Sequence, residues 1–468
     1  MIKLLVILLH ILSTTSESFT DKQIIDDLLQ WASTSGGIVD NVKVGSSTIN
    51  GAGRALITIK PVQQGHVLVS LPLNMLITDE IARSDQLIQD HVLAVDIEVD
   101  SCMAVTLYLM LETLITQSNS KWIRYYRSLP PIDHLFNLPQ LEWRNTELGR
   151  KALSVLLTSP SMAQRVKTEI RLHESAIRKL NATVFRSIRH TFPNVTEDVL
   201  HKVFLWAKST VLTRSWTKAH SSIQGDCTLV PILDLLNHDD SGGGLVAVAF
   251  ENDPNEIHSV GVLATQNVNS GAEVVDSYDP PDSNARRKQQ PKCMQEMLLG
   301  FGFLPFPSQR SWCFDMTINI KTITFSQPAL NRLQHTLLAQ LGTTRGSQFT
   351  TKLREGDIIL PPQLLTAMRL CTSGEREMLI AQSNGNADQP LTMNNERKVL
   401  KIIHNVMHAN LLSIPSSDLQ DEELISKENT DEKMKIALQV RIHERAICRQ
   451  TLEHIATAWH KILLDDRL

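Results

Sequence analysis

Residues 226–238 read DCTLVPILDLLNH, residues 273–279 read EVVDSYD, and forty positions separate His238 from Tyr278. The first stretch is an apolar segment that ends on an asparagine–histidine pair. The second is a short β-type run that ends on a tyrosine. Each has a bland reading. Tyr278 could pack a strand edge, and Asn237 could cap a helix end. A metal set drawn from Asp234, His238, Asp239 and Asp240 is a weaker rival, because hard oxygens are joined there by one imidazole with no second His or Cys nearby. No metal is expected.

Upstream, GAGRALITIKPVQQGHVLVSLP (51–72) breaks into short β runs, with Gly51 and Gly53 before Ala55–Ile59 and Gly65 before His66–Leu71. Before it, Thr20-Asp21-Lys22-Gln23 forms a capping box for a helix that Gly36-Gly37 stops. The pattern is then helical over 78–220, with candidates at Cys102–Ile115, Asn145–Leu157, Ser161–Leu180 and Glu197–Trp216. Strands return at 245–251, 257–265 and 273–278. A β-rich unit is thus split by a helical insertion at about 78–210, and distant segments must assemble one sheet system. Beyond 320 the chain is helical again, with helices expected at Pro328–Leu341, 361–371, 375–383 and 395–413. The acidic run SSDLQDEELISKENTDE (416–432) reads as a solvated linker to a last long helix through Leu464.

The chain has 468 residues, 42% hydrophobic and 21% charged, and a net charge of −4. That suits a folded protein of two or three domains and gives no basic field for nucleic acid. The six cysteines at 102, 227, 293, 313, 371 and 448 form neither a CxxC zinc spacing nor a dense disulfide framework. Met1–Ser18, MIKLLVILLHILSTTSES, has the layout of a secretory signal, too short to span a bilayer; a buried N-terminal helix is the other reading. Asn181 and Asn194 sit in glycosylation sequons that matter only on the secretory route. No other segment is apolar enough for a membrane span.

Three stretches together resemble the SET-domain protein methyltransferases of the Rubisco large-subunit type: 51–72; 211–216 (VLTRSW) with 227–240 and 271–284; and MKIALQVRIHERAICRQTLEHI at 434–455. The resemblance implies an α+β SET fold over 19–310, interrupted by the helical insertion, and an all-α substrate-binding domain over 311–468. It implies S-adenosylmethionine as cofactor and methyl transfer to a lysine of a protein substrate, a histone or another intracellular protein. A monomer in cytoplasm or nucleus is expected, or a secreted protein if residues 1–18 act as a signal.

By the same resemblance Tyr278 is the catalytic tyrosine beside the transferred methyl. Asn237 and His238 contact the adenosine part, Arg214 meets the methionyl carboxylate as a guanidinium fork can, and Asp234 braces the loop. Gly53, Arg54 and Ala55 line the cofactor wall through the main chain, while Phe301, Gly302 and Phe303 form an apolar wall. An ordinary lysine amine is almost wholly protonated at neutral pH, so a desolvating channel and alignment are what the reaction needs.

Two departures stand out. Phe301 replaces a family tyrosine. Tyr278 and Phe301 are also 23 positions apart, roughly ten more than the family pattern, a surplus placed in ARRKQQPKCM (285–294), where loop closure costs little. Protein-histidine methylation and a catalytically inactive SET-like binding module are the competing functions.

Overall fold

Thr20 caps the Asp21–Thr34 helix, its hydroxyl accepting the Gln23 N–H while Gln23 accepts the Thr20 N–H. Gly36 then turns the chain away at φ +94°. In the computed structural model the described residues are 20–49, 52–95, 97–116, 119–134, 136–216, 227–239, 246–253, 256–278, 292–305, 311–319, 332–340, 348–356, 358–360, 362–384 and 387–465. Residues 1–18, Gly51, Asp240 and 285–291 of the basic run lie outside them.

Among the described residues, ten strands precede residue 280: β1 (Val42–Ser46), β2 (Arg54–Thr58), β3 (Val67–Pro72), β4 (Ile77–Thr78), β5 (Ser215–Trp216), β6 (Thr228–Leu229), β7 (Asn237–His238), β8 (Val246–Asp253), β9 (Glu256–Ala264) and β10 (Glu273–Asp276). They form three small sheets, ordered β1-β2-β10-β7, β3-β9-β8 and β4-β6-β5. Each joins strands from before the helical insertion to strands after it, as the split pattern predicts. The helices of the insertion start and stop within a few residues of expectation: Ser101–Leu111, Glu147–Leu156, Pro160–Ala182 and Glu197–Arg214. Ser101–Leu111 runs on into a π turn at Glu112–Thr116.

The chain divides into two compact units. The first comprises 1–141, 171–292 and 300–310. Its core gathers Leu56, Leu68 and Leu71 from the strands with Trp122 from a helix-capping turn and Tyr125, Phe185 and Phe204 from the helices. A disulfide joins Cys102 to Cys227.

The second unit comprises 142–170, 293–299 and 311–468, so it draws on segments that the sequence reading assigned wholly to the SET region. The reason lies on the Glu432–Asp465 helix. Glu147–Leu156 packs against it, and its Glu444 carboxylate accepts the N–H groups of Ser161 and Met162 at 3.1 and 2.8 Å. Arg165 reaches Asp315 in the same unit. Among the described residues this unit is largely helical, with one antiparallel pair, β11 (Cys313–Asn319) and β12 (Gln348–Arg354), that the all-α expectation lacked. Cys293 and Cys313 form a second disulfide.

The acidic run at 416–432 is not a solvated linker. It folds into the Asp418–Ser426 helix, opened by a Ser417 capping box. Asp421 is fully buried and ion-paired to both Arg441 and Arg445. Among the described residues no helix is long and apolar enough to cross a membrane.

Candidate active site

The meeting of the two opening motifs comes from one strand pair. β7 and β10 run parallel, with Val275 opposite Asn237 and Asp276 opposite His238, and the Asp239 N–H donates to the Asp276 carbonyl at 2.9 Å. Two residues beyond β10, the Tyr278 N–H donates to His238 Nδ1 at 3.0 Å. That bond leaves the neutral ring's proton on Nε2. The Tyr278 hydroxyl donates to the Leu236 carbonyl at 2.7 Å. The tyrosine is therefore held at both ends by the segment that precedes it by forty residues.

That segment is bent into place by a tight turn. Ile232 sits at φ +68°, ψ −47°, and the Leu233 N–H donates to the Pro231 carbonyl at 2.8 Å. This is a three-residue γ-turn of the strained hand, rare for a β-branched residue. A 3-10 turn at Leu233–Leu235 follows and delivers Asn237 to β7.

Tyr278 faces a cavity of about 380 Å³ whose lining includes Arg214, Asp234, Asp276, Lys292 and Phe301. Arg214 Nη1 donates to the Asp234 carbonyl and to its Oδ2, both at 3.1 Å. The Tyr125 hydroxyl donates to the same Oδ2 at 3.0 Å. Arg214 Nε is buried and has no hydrogen-bond partner. Burial opposes the guanidinium charge, and Asp234 beside it more than restores it. Burial drives the Tyr278 phenol well above the ordinary tyrosine range, with Arg214 pulling the other way, so the hydroxyl remains a proton donor. Burial also raises Asp276 to about 6, against one backbone N–H from Ser277.

Aromatic rings close one side. Phe301 lies 4.7 Å from Tyr278 between centroids, Phe303 lies 6.3 Å from Tyr278, and His238 lies 5.1 Å from it. The chain can follow this wall because Gly302 takes φ +79°, and a Cβ there would sit 2.0 Å from the Phe136 carbonyl oxygen.

Of the residues expected from sequence, Tyr278, Arg214, Asp234 and Phe301 share the cavity lining. Gly302 and Phe303 support its aromatic wall without lining it. Gly53, Arg54, Ala55, Asn237 and His238 are outside the lining. Gly53 has φ +78° and leads into β2. The Asn237 amide nitrogen donates to the Arg54 carbonyl at 3.0 Å and to Glu273 Oε1 at 2.9 Å, so its N–H groups tie β7 to β2 and β10 rather than pointing outward. Burial raises Glu273, but hydrogen bonds from Asn237, Ser47 and Thr48 outweigh it and hold the carboxyl below its usual range.

The sequence reading missed Tyr125, Glu273, Asp276 and Lys292. Glu273 and Asp276 stood inside the quoted strand; Tyr125, in WIRYYRS, carried no pattern that sets it apart. Of the rival metal set, Asp234 is held by Arg214 and Tyr125 and His238 Nδ1 accepts from Tyr278, while Asp240 lies outside the described residues. Among the described residues Cys293, Glu296 and Cys313 cluster within 4.8 Å, but the two cysteines are bonded to each other.

Comparison with known proteins agrees with this architecture. Residues 328–447 match the family described as Rubisco LSMT substrate-binding. The structure resembles that of the SET domain of LSMT bound to lysine and AdoHcy, at TM-score 0.71 and 19% identity, covering 94% of this chain and 92% of that one. The fold is thus that of the LSMT SET structures, and the C-terminal region is similar to the Rubisco LSMT substrate-binding family. The chain is 21% identical to the chloroplastic Rubisco large subunit N-methyltransferase of Nicotiana tabacum, over 95% of this chain and 84% of that protein. It is 21% identical to the chloroplastic fructose-bisphosphate aldolase-lysine N-methyltransferase of Arabidopsis thaliana, over 88% and 79%. Human SET domain-containing protein 4 is 25% identical over 54% of this chain and 52% of its own length.

Proposed function

We propose that this protein is an S-adenosylmethionine-dependent protein-lysine N-methyltransferase whose reaction takes place at the Tyr278 hydroxyl. The observation that carries the reading is the convergence at that cavity of a fixed tyrosine, an aromatic wall and a half-buried guanidinium. Its plant relatives are named as N-methyltransferases, one for the Rubisco large subunit and one for aldolase lysine.

The residues fit the cofactor. Arg214 Nε, buried without a partner, suits a carboxylate such as the one on the methionyl end. Gly53, Arg54 and Ala55, tied to Asn237 through the Arg54 carbonyl, back the nucleoside site through the main chain, with Asn237 and His238 holding the loop. When bound, the cofactor supplies a methyl on a positive sulfonium. Tyr278, kept protonated by burial, orients rather than abstracts a proton. Asp276, ionised above about pH 6, attracts an incoming ammonium. Phe301, backed by Phe303, excludes water from the amine, which favours its neutral form.

The helical unit recruits the substrate protein, and the enzyme acts as a monomer in cytoplasm or nucleus. The two disulfides favour a second location, an oxidising compartment reached through residues 1–18.

Incubation with labelled cofactor and cell extract should mark a protein band, and amino-acid analysis should find methyl-lysine. Methyl-histidine would contradict the lysine assignment, and an unlabelled extract would contradict the activity.

A further inference from the structure

Two of the chain's own amines, Lys208 and Lys292, line this cavity, and Lys292 is the one held at Tyr278. It lines the same space as Tyr278, Asp276 and Phe301. Its Nζ donates to the Tyr278 carbonyl oxygen and lies 5.7 Å from the centroid of the Phe301 ring. A lysine head beside the reactive tyrosine and over an aromatic face has the surroundings that a substrate lysine requires. Rings of this kind also attract methylated ammonium through cation–π contact, so the product would be held as well as the reactant.

We propose that Lys292 is a modification site of this protein, methylated in cis at its own active site. The proposal rests on the methyltransferase reading above. The ammonium first gives a proton to solvent. The neutral Nζ lone pair then attacks the sulfonium methyl, an N–C bond forms as the C–S bond breaks, and the sulfur keeps the bonding pair as the neutral thioether S-adenosylhomocysteine. No oxidant or metal is required for the balance. Because one neutral amine is consumed per transfer, the rate should rise with pH through the neutral range.

The test uses the full chain with labelled S-adenosylmethionine, with and without cell extract, followed by peptide mapping. The expected result is a mass gain of one or more methyl groups on the peptide containing Lys292, with a rate per molecule independent of protein concentration. Tyr278→Phe should lose most of that label. Lys292→Arg should lose all of it while still binding S-adenosylhomocysteine in calorimetry, which separates lost chemistry from lost folding. Labelled extract proteins with an unmethylated Lys292 would overturn this proposal and leave the enzyme reading intact. A rate proportional to protein concentration would overturn transfer in cis. No cofactor binding and no label anywhere would instead remove the reading on which the proposal rests.

Discussion

Tyr278 is positioned by two hydrogen bonds from opposite ends, its N–H to His238 and its hydroxyl to the Leu236 carbonyl. Tyr278→Phe keeps the ring packed against Phe301 and leaves the Leu236 carbonyl without its donor, at a cost of about 1–3 kcal/mol. Methyl transfer should fall by roughly a hundredfold or more, the scale seen when one oriented donor is removed from an active site, with circular dichroism little changed. Asp276 supplies a pH test. Its folded pKa is raised, to about 6, so the folded state binds the proton more tightly than the unfolded chain. The stability this gives is complete below the unfolded carboxylate range and is lost as pH rises through about 6. Asp276→Asn should flatten that part of the stability–pH curve in denaturant titrations. A curve identical to wild type would show that the carboxyl does not titrate as described. At Gly302, alanine would collide with the Phe136 backbone and strain a positive φ; a fall in thermal midpoint together with weaker methyl transfer is expected. Tyr278, Arg214 and Phe301 were legible in the sequence as motif residues. Tyr125 and Lys292 were not, because their importance comes from neighbours that only folding supplies.

At the scale of elements, the parallel β7–β10 pair is the device that brings together two motifs forty residues apart, and the γ-turn at Ile232 aims the first of them. Strand positions could be read from alternation and turn residues; their pairing could not, since two-residue strands such as β5, β6 and β7 carry no period of their own. The acidic run at 416–432 shows the opposite failure. Its charges looked solvated because their partners, Arg441 and Arg445, lie on another helix at least 20 positions away. The buried side chain of Asp421 is enclosed by these two guanidinium groups. Asp421→Ala would leave both cations without their shared partner, at a cost of about 3–5 kcal/mol. Equilibrium unfolding of the helical unit should report it. An effect below about 1 kcal/mol would be that of an exposed pair instead.

Over the whole molecule, the family resemblance carried both the SET architecture and the helical C-terminal region. Composition and charge bounded the class without selecting it. The recruitment of 142–170 into the helical unit was hidden, because helical periodicity identifies an apolar face but not its partner. The cysteines were also underread: four of the six pair, and the Cys102–Cys227 bridge spans 125 positions. Its reduction should destabilise the first unit by about 4–5 kcal/mol on a chain-entropy basis. Thermal melts with and without reductant, together with non-reducing peptide maps, would check this. An unchanged melt would mean that the pair is not bonded in solution.

The most direct test is a crystal structure with S-adenosylhomocysteine and a lysine peptide. The thioether sulfur is expected to face the Tyr278 hydroxyl, with the carboxylate against Arg214 and the peptide amine beside Phe301. A nucleoside bound in a different cavity, with its sulfur turned away from Tyr278, would contradict the account.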